Sequence, residues 1–331
     1  MMNNRILTCE ELSSCVQGAL EIESVADGLK LHRFTAGQRA FYWQTNRDFW
    51  MKTQATSCIC LEFTTDSVYL QMEYAILPGS SRKWYGFDVL ADGVMVHHVQ
   101  GDWSEGDRGS WECALPAGEK RLTVHLPCLS GAVIGSLSLS EGATFVPCRR
   151  EKKILVFGDS ITQGYDAHFP SMAYACALGE EFGAAVTNQG IGAEKFNSGL
   201  LTDDLGGDYD LITVAYGTND WSGRPADEFD AGAKGFYTRL REKFPETPIL
   251  AIMPLWRRDS ERITGAGSFP EAMERLAKIA SAVENVTVVD GTRLTPHFPD
   301  FYSDQYLHPN DLGYTFYSKN LVDFIRGHQL L

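Results

Sequence analysis

The sequence predicts an all-β sandwich, of jelly-roll type, followed by an α/β domain built on a parallel sheet. Up to about residue 148, short β-rich runs alternate with turn residues, and helical periodicity is confined to residues 9–20. From Lys152 onward, apolar runs alternate with amphipathic stretches, which indicates right-handed βαβ units and a sheet covered on both faces. The length of 331 residues fits two domains, which we predict over 1–148 and 149–331.

Six short runs predict the strands of the N-terminal half. They are 58–63, 68–76, 84–90, 94–99, 121–126 and 132–139. Asp92-Gly93 lies between two of these runs and is typical of a two-residue hairpin turn. The charged stretch around 147–153 predicts an exposed linker to the second domain.

Five apolar runs predict the strands of the second half. They are 154–157, 185–188, 211–216, 249–254 and 286–289. The intervening helices are predicted at 170–182, at 229–244, from the capping box of Ser268 and Glu271 to residue 282, and from Pro309 onward. Ligand sites in such sheets form at the C-terminal ends of the strands. The residues that follow each strand are therefore the candidates for chemistry.

The composition excludes several classes of partner. Asp and Glu number 43 against 29 Lys and Arg, a net charge of -14, which disfavours binding to nucleic acids and to anionic membranes. No apolar run approaches the roughly 18 residues that a membrane span needs. The N-terminal residues lack the apolar core of a secretory signal, and the eight cysteines are scattered. We therefore expect buried thiols and a cytoplasmic location, with neither zinc nor a disulfide at Cys58-x-Cys60.

Three polar or small residues follow the first three strands of the second half. Ser160, at a strand-to-helix turn, has a hydroxyl beside backbone N–H groups, which suits a nucleophile, although serine also caps helices. Gly192 allows a ligand to approach its N–H, or it forms an ordinary turn. The amide of Asn219 suits donation to an oxyanion, or it forms an Asx turn.

His308 directly precedes the last predicted helix, and Asp304 lies four residues before it. A carboxylate near a histidine can set the tautomer of a general base. No second cluster of His or Cys accompanies this pair, so we predict no metal. Each interpretation is weak alone, but all four residues fall at the same edge of one sheet, which favours a hydrolytic site.

Four sequence blocks carry a family resemblance: GDSIT around Ser160, NQGIG ending at Gly192, GTND around Asn219 and LHPN around His308. With them, residues 150–331 resemble the SGNH (GDSL-type) hydrolase superfamily. The resemblance implies a flavodoxin-like three-layer α/β/α domain with a five-stranded parallel sheet and no cofactor. It also implies that Ser160 is the nucleophile, that His308 is the general base, and that the N–H groups of Ser160 and Gly192 join the Asn219 amide in the oxyanion hole. The layout is similar to the subgroup with an N-terminal jelly-roll-like domain.

The acid of the site departs from the family pattern. The family commonly shows Asp-x-x-His, whereas here Gln305 occupies the place of the acid and Asp304 lies one residue further from His308. Three hypotheses stay open at this point. Asp304 reaches the histidine through a bulged loop, or Gln305 or a backbone carbonyl orients the ring in a Ser-His dyad, or the chain is inactive.

The function predicted from these residues is a serine esterase. It would hydrolyse short-chain, first of all acetyl, esters of a carbohydrate or another small polar molecule through an acyl-enzyme on Ser160. The alternatives are an acyltransferase that uses the same acyl-enzyme, and an inactive glycan-binding protein. Trp221, Trp256 and Arg257 are candidate substrate contacts, with wall packing and surface charge as the alternative roles. A homo-oligomer is permitted but not required.

Overall fold

The computed structural model describes residues 4–331, and its N-terminal part is mostly β-structure. In chain order, the strands are β1 (Arg5–Ile6), β2 (Val16–Gln17), β3 (Glu21–Val25), β4 (Gly28–His32), β5 (Cys60–Thr65), β6 (Tyr69–Pro78), β7 (Trp84–Ala91), β8 (Val94–Asp102), β9 (Arg108–Ala114), β10 (Lys120–His125), β11 (Ser130–Leu139) and β12 (Val146–Pro147). The helices of this part are α1 (Cys9–Ser14), α2 (Ala36–Thr45) and α3 (Arg47–Lys52).

These strands form two antiparallel sheets of six strands each. One has the order β3-β4-β11-β6-β9 with β1 paired to β11, and the other has the order β12-β5-β10-β7-β8 with β2 paired to β5. Apolar side chains of both sheets, such as Met72 and Phe87, pack in one core. Ala91 pairs with Val94, so that Asp92 and Gly93, both with positive φ, form the two-residue turn. The predicted sandwich and the predicted hairpin are both confirmed.

Two helices and six strands of this part were not predicted, and three of these strands, β1, β2 and β12, are only two residues long. Helix α2 has no continuous apolar stripe, because the side chains that it buries are Gln38 and Tyr42, which are held by hydrogen bonds. Its neighbour α3 is only six residues long. Strands β3, β4 and β9 were also missed; β3 is polar and largely exposed, so apolar alternation does not mark it.

The C-terminal part is a parallel α/β domain. Its strands are β13 (Lys152–Gly158), β14 (Ala184–Gly190), β15 (Leu211–Ala215), β16 (Ile249–Ile252), β17 (Ile263–Thr264), β18 (Gly267–Ser268) and β19 (Val286–Val289). Its helices are α4 (Ser160–Gln163), α5 (Tyr174–Phe182), α6 (Thr218–Gly223), α7 (Ala226–Lys243), α8 (Phe269–Ser281) and α9 (Asp311–Gly327).

Five of these strands form one parallel sheet in the order β14-β13-β15-β16-β19, which is the flavodoxin-like order. Helices α7 and α8 contribute to the apolar core on one face, and α5 and α9 to that on the other, so the predicted three-layer fold is confirmed. Helix α8 begins at the predicted capping box, whereas α9 is capped by Asn310 and not by Pro309. No helix within residues 4–331 is long and apolar enough to cross a membrane.

The two parts of the chain share a buried contact. Phe34 and Tyr42, from the N-terminal part, lie in the same core as Phe157 of β13. Arg150, between the last strand of the sandwich and β13, bonds both Glu62 of β5 and Glu180 of α5. The division at 148/149 stays a prediction, and the helical segment 33–52 packs directly on the parallel-sheet domain.

Candidate active site

Ser160 is the first residue of α4, directly beyond the C-terminal end of β13. The Asp159 carboxylate caps this helix by accepting the Ile161 N–H at 3.0 Å. A Cβ on Gly158 would lie 2.0 Å from Thr162 Oγ1, so the sharp turn requires glycine there. Ser160 is only 5% exposed, and its Oγ lies 2.9 Å from His308 Nε2. The strand-to-helix turn therefore directs the hydroxyl at the histidine.

The ring of His308 is held on two sides. Its Nδ1 lies 2.7 Å from Asp304 Oδ2, and the Tyr165 ring stacks on it at 5.5 Å between centroids. With Nδ1–H donating to the carboxylate, Nε2 is left to accept the Ser160 hydroxyl proton. Ser160, His308 and Asp304 thus form one continuous hydrogen-bonded chain.

The loop between Asp304 and His308 contains an extra residue that the backbone absorbs. Gln305 has φ 54, in the left-handed region. Beyond it, the N–H groups of Tyr306, Leu307 and His308 converge on Asp304 Oδ1 at 2.9, 2.7 and 3.1 Å. This is the bulged loop that was one of the three hypotheses. The geometry places Asp304, and not Gln305, against the imidazole.

The Asp304 carboxylate is stabilised in its ionised form. Burial alone would raise its pKa, but the hydrogen bonds from His308 and from the Leu307 and Tyr306 N–H groups hold the pKa well below its ordinary value. The ionised Asp304 carboxylate beside Nδ1 would stabilise the positive charge of an imidazolium formed on His308.

Asn219 lies on α6 beyond the end of β15, and its side chain reaches the loop that follows β14. Its Nδ2 donates to the Glu194 carbonyl at 3.1 Å, which leaves its second N–H for a ligand. The Ser160 N–H donates to no group within residues 4–331. Both groups are therefore suitable oxyanion donors.

The prediction that Gly192 supplies an oxyanion donor is wrong. Its N–H donates to the buried Gln163 Oε1 at 2.9 Å, so it points into the protein and is already paired. The adjacent Ala193 is exposed, has φ 72, and has an N–H with no partner in the described part of the chain. Sequence reasoning had no signal for choosing between two adjacent N–H groups.

The structure also contradicts two of the three predicted substrate contacts. Trp221 has no exposed surface: its ring packs edge-on against Phe269, and its Nε1 donates to the Gly267 carbonyl. Arg257 is 3% exposed, and its guanidinium bonds Asp259, the Thr218 and Ser222 hydroxyls and the Tyr306 hydroxyl. Arg257 thus connects α6 with the loop before His308 through hydrogen bonds. Its guanidinium N–H groups already have partners within the protein and do not face a substrate.

Trp256 differs from these two residues because it is only half-buried. Its ring stacks on that of the exposed His297 at 5.7 Å and also contacts Tyr302. A substrate contact at Trp256 stays a prediction.

Three buried carboxyl groups surround the serine and the asparagine. Burial raises the pKa of Asp159 to about 7, that of Glu194 to about 7 and that of Asp220 to about 6. Arg224 opposes the shift at Asp220, and the Tyr42 hydroxyl, 2.7 Å from Glu194 Oε2, opposes it at Glu194. Near neutral pH, partial protonation of Asp159 and Glu194 therefore reduces the negative charge beside a developing oxyanion.

A second carboxylate, not predicted from the sequence, lies near the histidine. Asp166 Oδ2 is 3.9 Å from His308 Nδ1, and Arg82 of the N-terminal part binds both Asp166 oxygens at 2.8 and 3.0 Å. Potential ligand atoms of Asp166, Asp304 and His308 lie within 4.8 Å of one another, which is close enough for a metal ion. Arg82 already binds Asp166, however, and His308 Nδ1 is hydrogen-bonded to Asp304, so this geometry fits a proton-transfer site better.

The chain is similar to known proteins in sequence and in fold. Residues 156–316 match the sequence profile of the GDSL-like Lipase/Acylhydrolase family. A comparison with curated proteins found no match.

Three solved structures share the fold over both parts of the chain. The salicylyl-acyltransferase SsfX3 from a tetracycline biosynthetic pathway is 23% identical, with a TM-score of 0.78, over 99% of this chain and 98% of that one. A family two carbohydrate esterase from Clostridium thermocellum, in complex with cellohexaose, is 14% identical, with a TM-score of 0.65, over 96% and 100% of the two chains. The acetyl xylan esterase Est2A from the rumen bacterium Butyrivibrio proteoclasticus is 13% identical, with a TM-score of 0.63, over 98% of each chain. The match to the GDSL-like lipase/acylhydrolase family thus covers residues 156–316, the segment that holds Ser160, Asn219 and His308.

Proposed function

We propose that this protein is a serine esterase that hydrolyses short-chain esters, acetyl esters first, of a carbohydrate or another small polar molecule. The observation that carries the proposal is the chain of hydrogen bonds from Ser160 Oγ through His308 to Asp304, at 2.9 and 2.7 Å. It lies at the C-terminal edge of the sheet, beside the N–H groups of Ser160 and Ala193, which donate to no group in the described part of the chain.

The proposed reaction has two steps. In the first, His308 Nε2 takes the Ser160 proton while Oγ attacks the ester carbonyl, and Asp304 stabilises the imidazolium. The oxyanion accepts hydrogen bonds from the Ser160 N–H, the Asn219 amide and the Ala193 N–H, which replaces Gly192 in this role. His308 then protonates the leaving alcohol. In the second step, water gives a proton to His308, attacks the acyl-enzyme and releases the acid, and the proton returns to Ser160.

A polar groove lies beside the hydrogen-bonded residues Ser160, His308 and Asp304, which supports a substrate ester with a polar alcohol portion. Both parts of the chain line it, with Arg82, Trp84, Asp166, His168, Asp304 and Asp311 among its residues. Carboxylates accept hydrogen bonds from sugar hydroxyls, and an aromatic ring stacks on a sugar face. The carbohydrate esterases among the structural neighbours favour the same class of substrate.

An acyltransferase is the second candidate function. The neighbour with the TM-score of 0.78 is described as an acyltransferase, and Ser160 is only 5% exposed. A shielded acyl-enzyme favours attack by a bound alcohol over attack by water. The chemistry on Ser160 is the same in both cases, and the two functions differ in the acceptor.

The setting in which the protein works is also a proposal. All eight cysteines of the described chain are free, and most of them are buried, which supports a reducing compartment such as the cytoplasm. The net charge of -14 supports a small-molecule partner and not a nucleic acid.

The test compares hydrolysis of p-nitrophenyl acetate, butyrate and octanoate by the wild type, Ser160→Ala and a matched control, Ser318→Ala on α9. We expect the acetate to be cleaved fastest, Ser160→Ala to lose activity and Ser318→Ala to keep it. Full activity in Ser160→Ala would overturn the nucleophile assignment. Adding an acceptor alcohol and analysing the products separates hydrolysis from transfer, since a transferase would yield the new ester in excess of free acid.

A further inference from the structure

Side chains from the helical segment 33–52 hold the end of β14 and the loop that follows it. Arg33 Nη1 donates to the carbonyls of Asn188 and Gly190, both at 2.7 Å. Lys52 Nζ donates to the Gly192 carbonyl at 2.9 Å. Arg33 is fully buried and Lys52 is 5% exposed. The backbone carbonyls at the end of β14 and in the loop after it are therefore held by cations from outside the α/β domain.

The hydrogen bond of Lys52 determines where the next N–H points. The Gly192 carbonyl and the Ala193 N–H belong to the same planar trans peptide, in which C=O and N–H point in opposite directions. A cation on the carbonyl oxygen therefore directs the N–H away from Lys52. It also polarises the amide and strengthens its N–H as a donor, because hydrogen bonds in a chain reinforce one another.

The conformation of Ala193 requires such support. Its φ is 72, in the left-handed region, which is unfavourable for a residue with a Cβ. Conformations of this kind persist only where the surrounding contacts impose them. On either side of Ala193, Lys52 holds the Gly192 carbonyl and Asn219 holds the Glu194 carbonyl.

We propose that Lys52 is a positioning residue for the oxyanion hole. It orients and polarises the Gly192–Ala193 peptide so that the Ala193 N–H stabilises the oxyanion. This inference rests on the proposed function, since it assigns a role within the same acyl transfer. The proposal also assigns the N-terminal part of the chain a role in catalysis, because the Lys52 ammonium group belongs to α3.

The chain offers a matched control for a purely structural role. Lys120 is 3% exposed, and its Nζ donates to the carbonyls of Thr65, Ser67 and Gly118 in the sandwich. Lys120→Met, like Lys52→Met, removes a buried ammonium from backbone carbonyls, but outside the residues that surround Ser160. Lys52 Nζ also pairs with the exposed Asp48 carboxylate at 2.6 Å, so Lys52→Met removes this ion pair as well. The comparison separates loss of stability from loss of catalysis.

The experiment measures kcat and KM for p-nitrophenyl acetate, and inhibition by a short alkyl trifluoromethyl ketone, whose hemiketal oxygen on Ser160 resembles the oxyanion. All assays run well below the unfolding midpoint of each variant. We expect Lys52→Met to lower kcat by about 10- to 100-fold at nearly unchanged KM, and to weaken inhibition in the same proportion. Lys52→Arg should recover part of the loss, and Lys120→Met should change only the unfolding midpoint.

Two results would overturn the inference: wild-type kcat and inhibition in Lys52→Met, or equal losses in Lys52→Met and Lys120→Met. A wild type that cleaves no ester would instead contradict the proposed function. The ketone still reports on the oxyanion donors in that case. Equal ketone affinity in the wild type and Lys52→Met would then count against the role of Lys52.

Discussion

The Asp304 carboxylate lies 2.7 Å from His308 Nδ1 although His308 comes four positions later in the chain, because the left-handed conformation of Gln305 accommodates the extra residue of the loop. One carboxylate oxygen orients the ring, and the other accepts the N–H groups of the turn. The acid of the site and the loop that presents the histidine thus depend on the same side chain.

The first prediction concerns this acid. We expect Asp304→Asn to lower kcat by about 10³- to 10⁴-fold, because the ring loses the acceptor that sets its tautomer. Gln305→Gly should keep nearly all activity, since glycine adopts positive φ freely. Steady-state kinetics of the two variants decide the matter. A dyad would show the reverse, with Asp304→Asn active and Gln305→Gly impaired.

The second prediction concerns the ion pair of Arg82 and Asp166. Removing the cation in Arg82→Ala leaves an unpaired carboxylate 3.9 Å from His308 Nδ1, which favours the imidazolium form. The acidic limb of the pH profile of kcat/KM should therefore move to higher pH. The double variant Arg82→Ala, Asp166→Asn should move it back. An unshifted profile in Arg82→Ala would contradict the coupling.

The third prediction concerns the buried Glu194. Its pKa in the folded protein is raised by burial to about 7 from an ordinary value of 4.5. The contribution of the protonated Glu194 carboxyl to the free energy of unfolding is therefore fully present below pH 4.5 and is lost as the pH rises to about 7. Glutamine never ionises, so the free energy of unfolding of Glu194→Gln, relative to the wild type, should increase by about 2–3 kcal/mol from pH 4.5 to pH 8.

Denaturant titrations at several pH values measure this difference, with Glu242→Gln, an exposed glutamate of α7, as the control. A difference that stays constant with pH would show that burial does not raise the pKa of Glu194.

The fourth prediction tests the structural role of Arg257. Arg257→Met leaves Asp259 and several buried hydroxyls without their partner, so we expect a loss of about 3 kcal/mol in the free energy of unfolding. The preference for anionic over neutral esters should not change, because the guanidinium has no exposed group. Arg258→Met, at an exposed neighbour, is the control. A selective loss of activity on anionic esters would restore the original substrate-binding hypothesis.

Local sequence was sufficient for those parts of the site that depend on one strand and the turn after it. Ser160 and Asn219 could be located because each follows an apolar run in a parallel sheet, and His308 because it precedes a capped helix. The choice between Gly192 and Ala193 could not be made, since it depends on a hydrogen bond to Gln163, 29 positions away in the chain. Arg257 was misassigned for a similar reason, because its partner Tyr306 lies in a distant loop.

Helix α2 could not be predicted because its inner face is polar. Gln38 exchanges two hydrogen bonds of 2.7 Å with the Gln189 side chain, and Tyr42 donates to Glu194. Such a helix is stable only when it packs against its partner residues. Because its buried face is polar, its sequence lacks the apolar periodicity that predicts a helix.

The buried guanidinium of Arg33 has a consequence for how this protein can be divided or recombined. It donates to the carbonyls of Lys52 and Ala55 on one side and to those of Asn188 and Gly190 on the other. In a fragment that begins at residue 149, the buried carbonyl oxygens of Asn188 and Gly190 would lose the guanidinium that donates to them. We therefore expect that fusing an unrelated sandwich to residues 149–331 would yield no working enzyme. The two parts of the gene would have to be exchanged together.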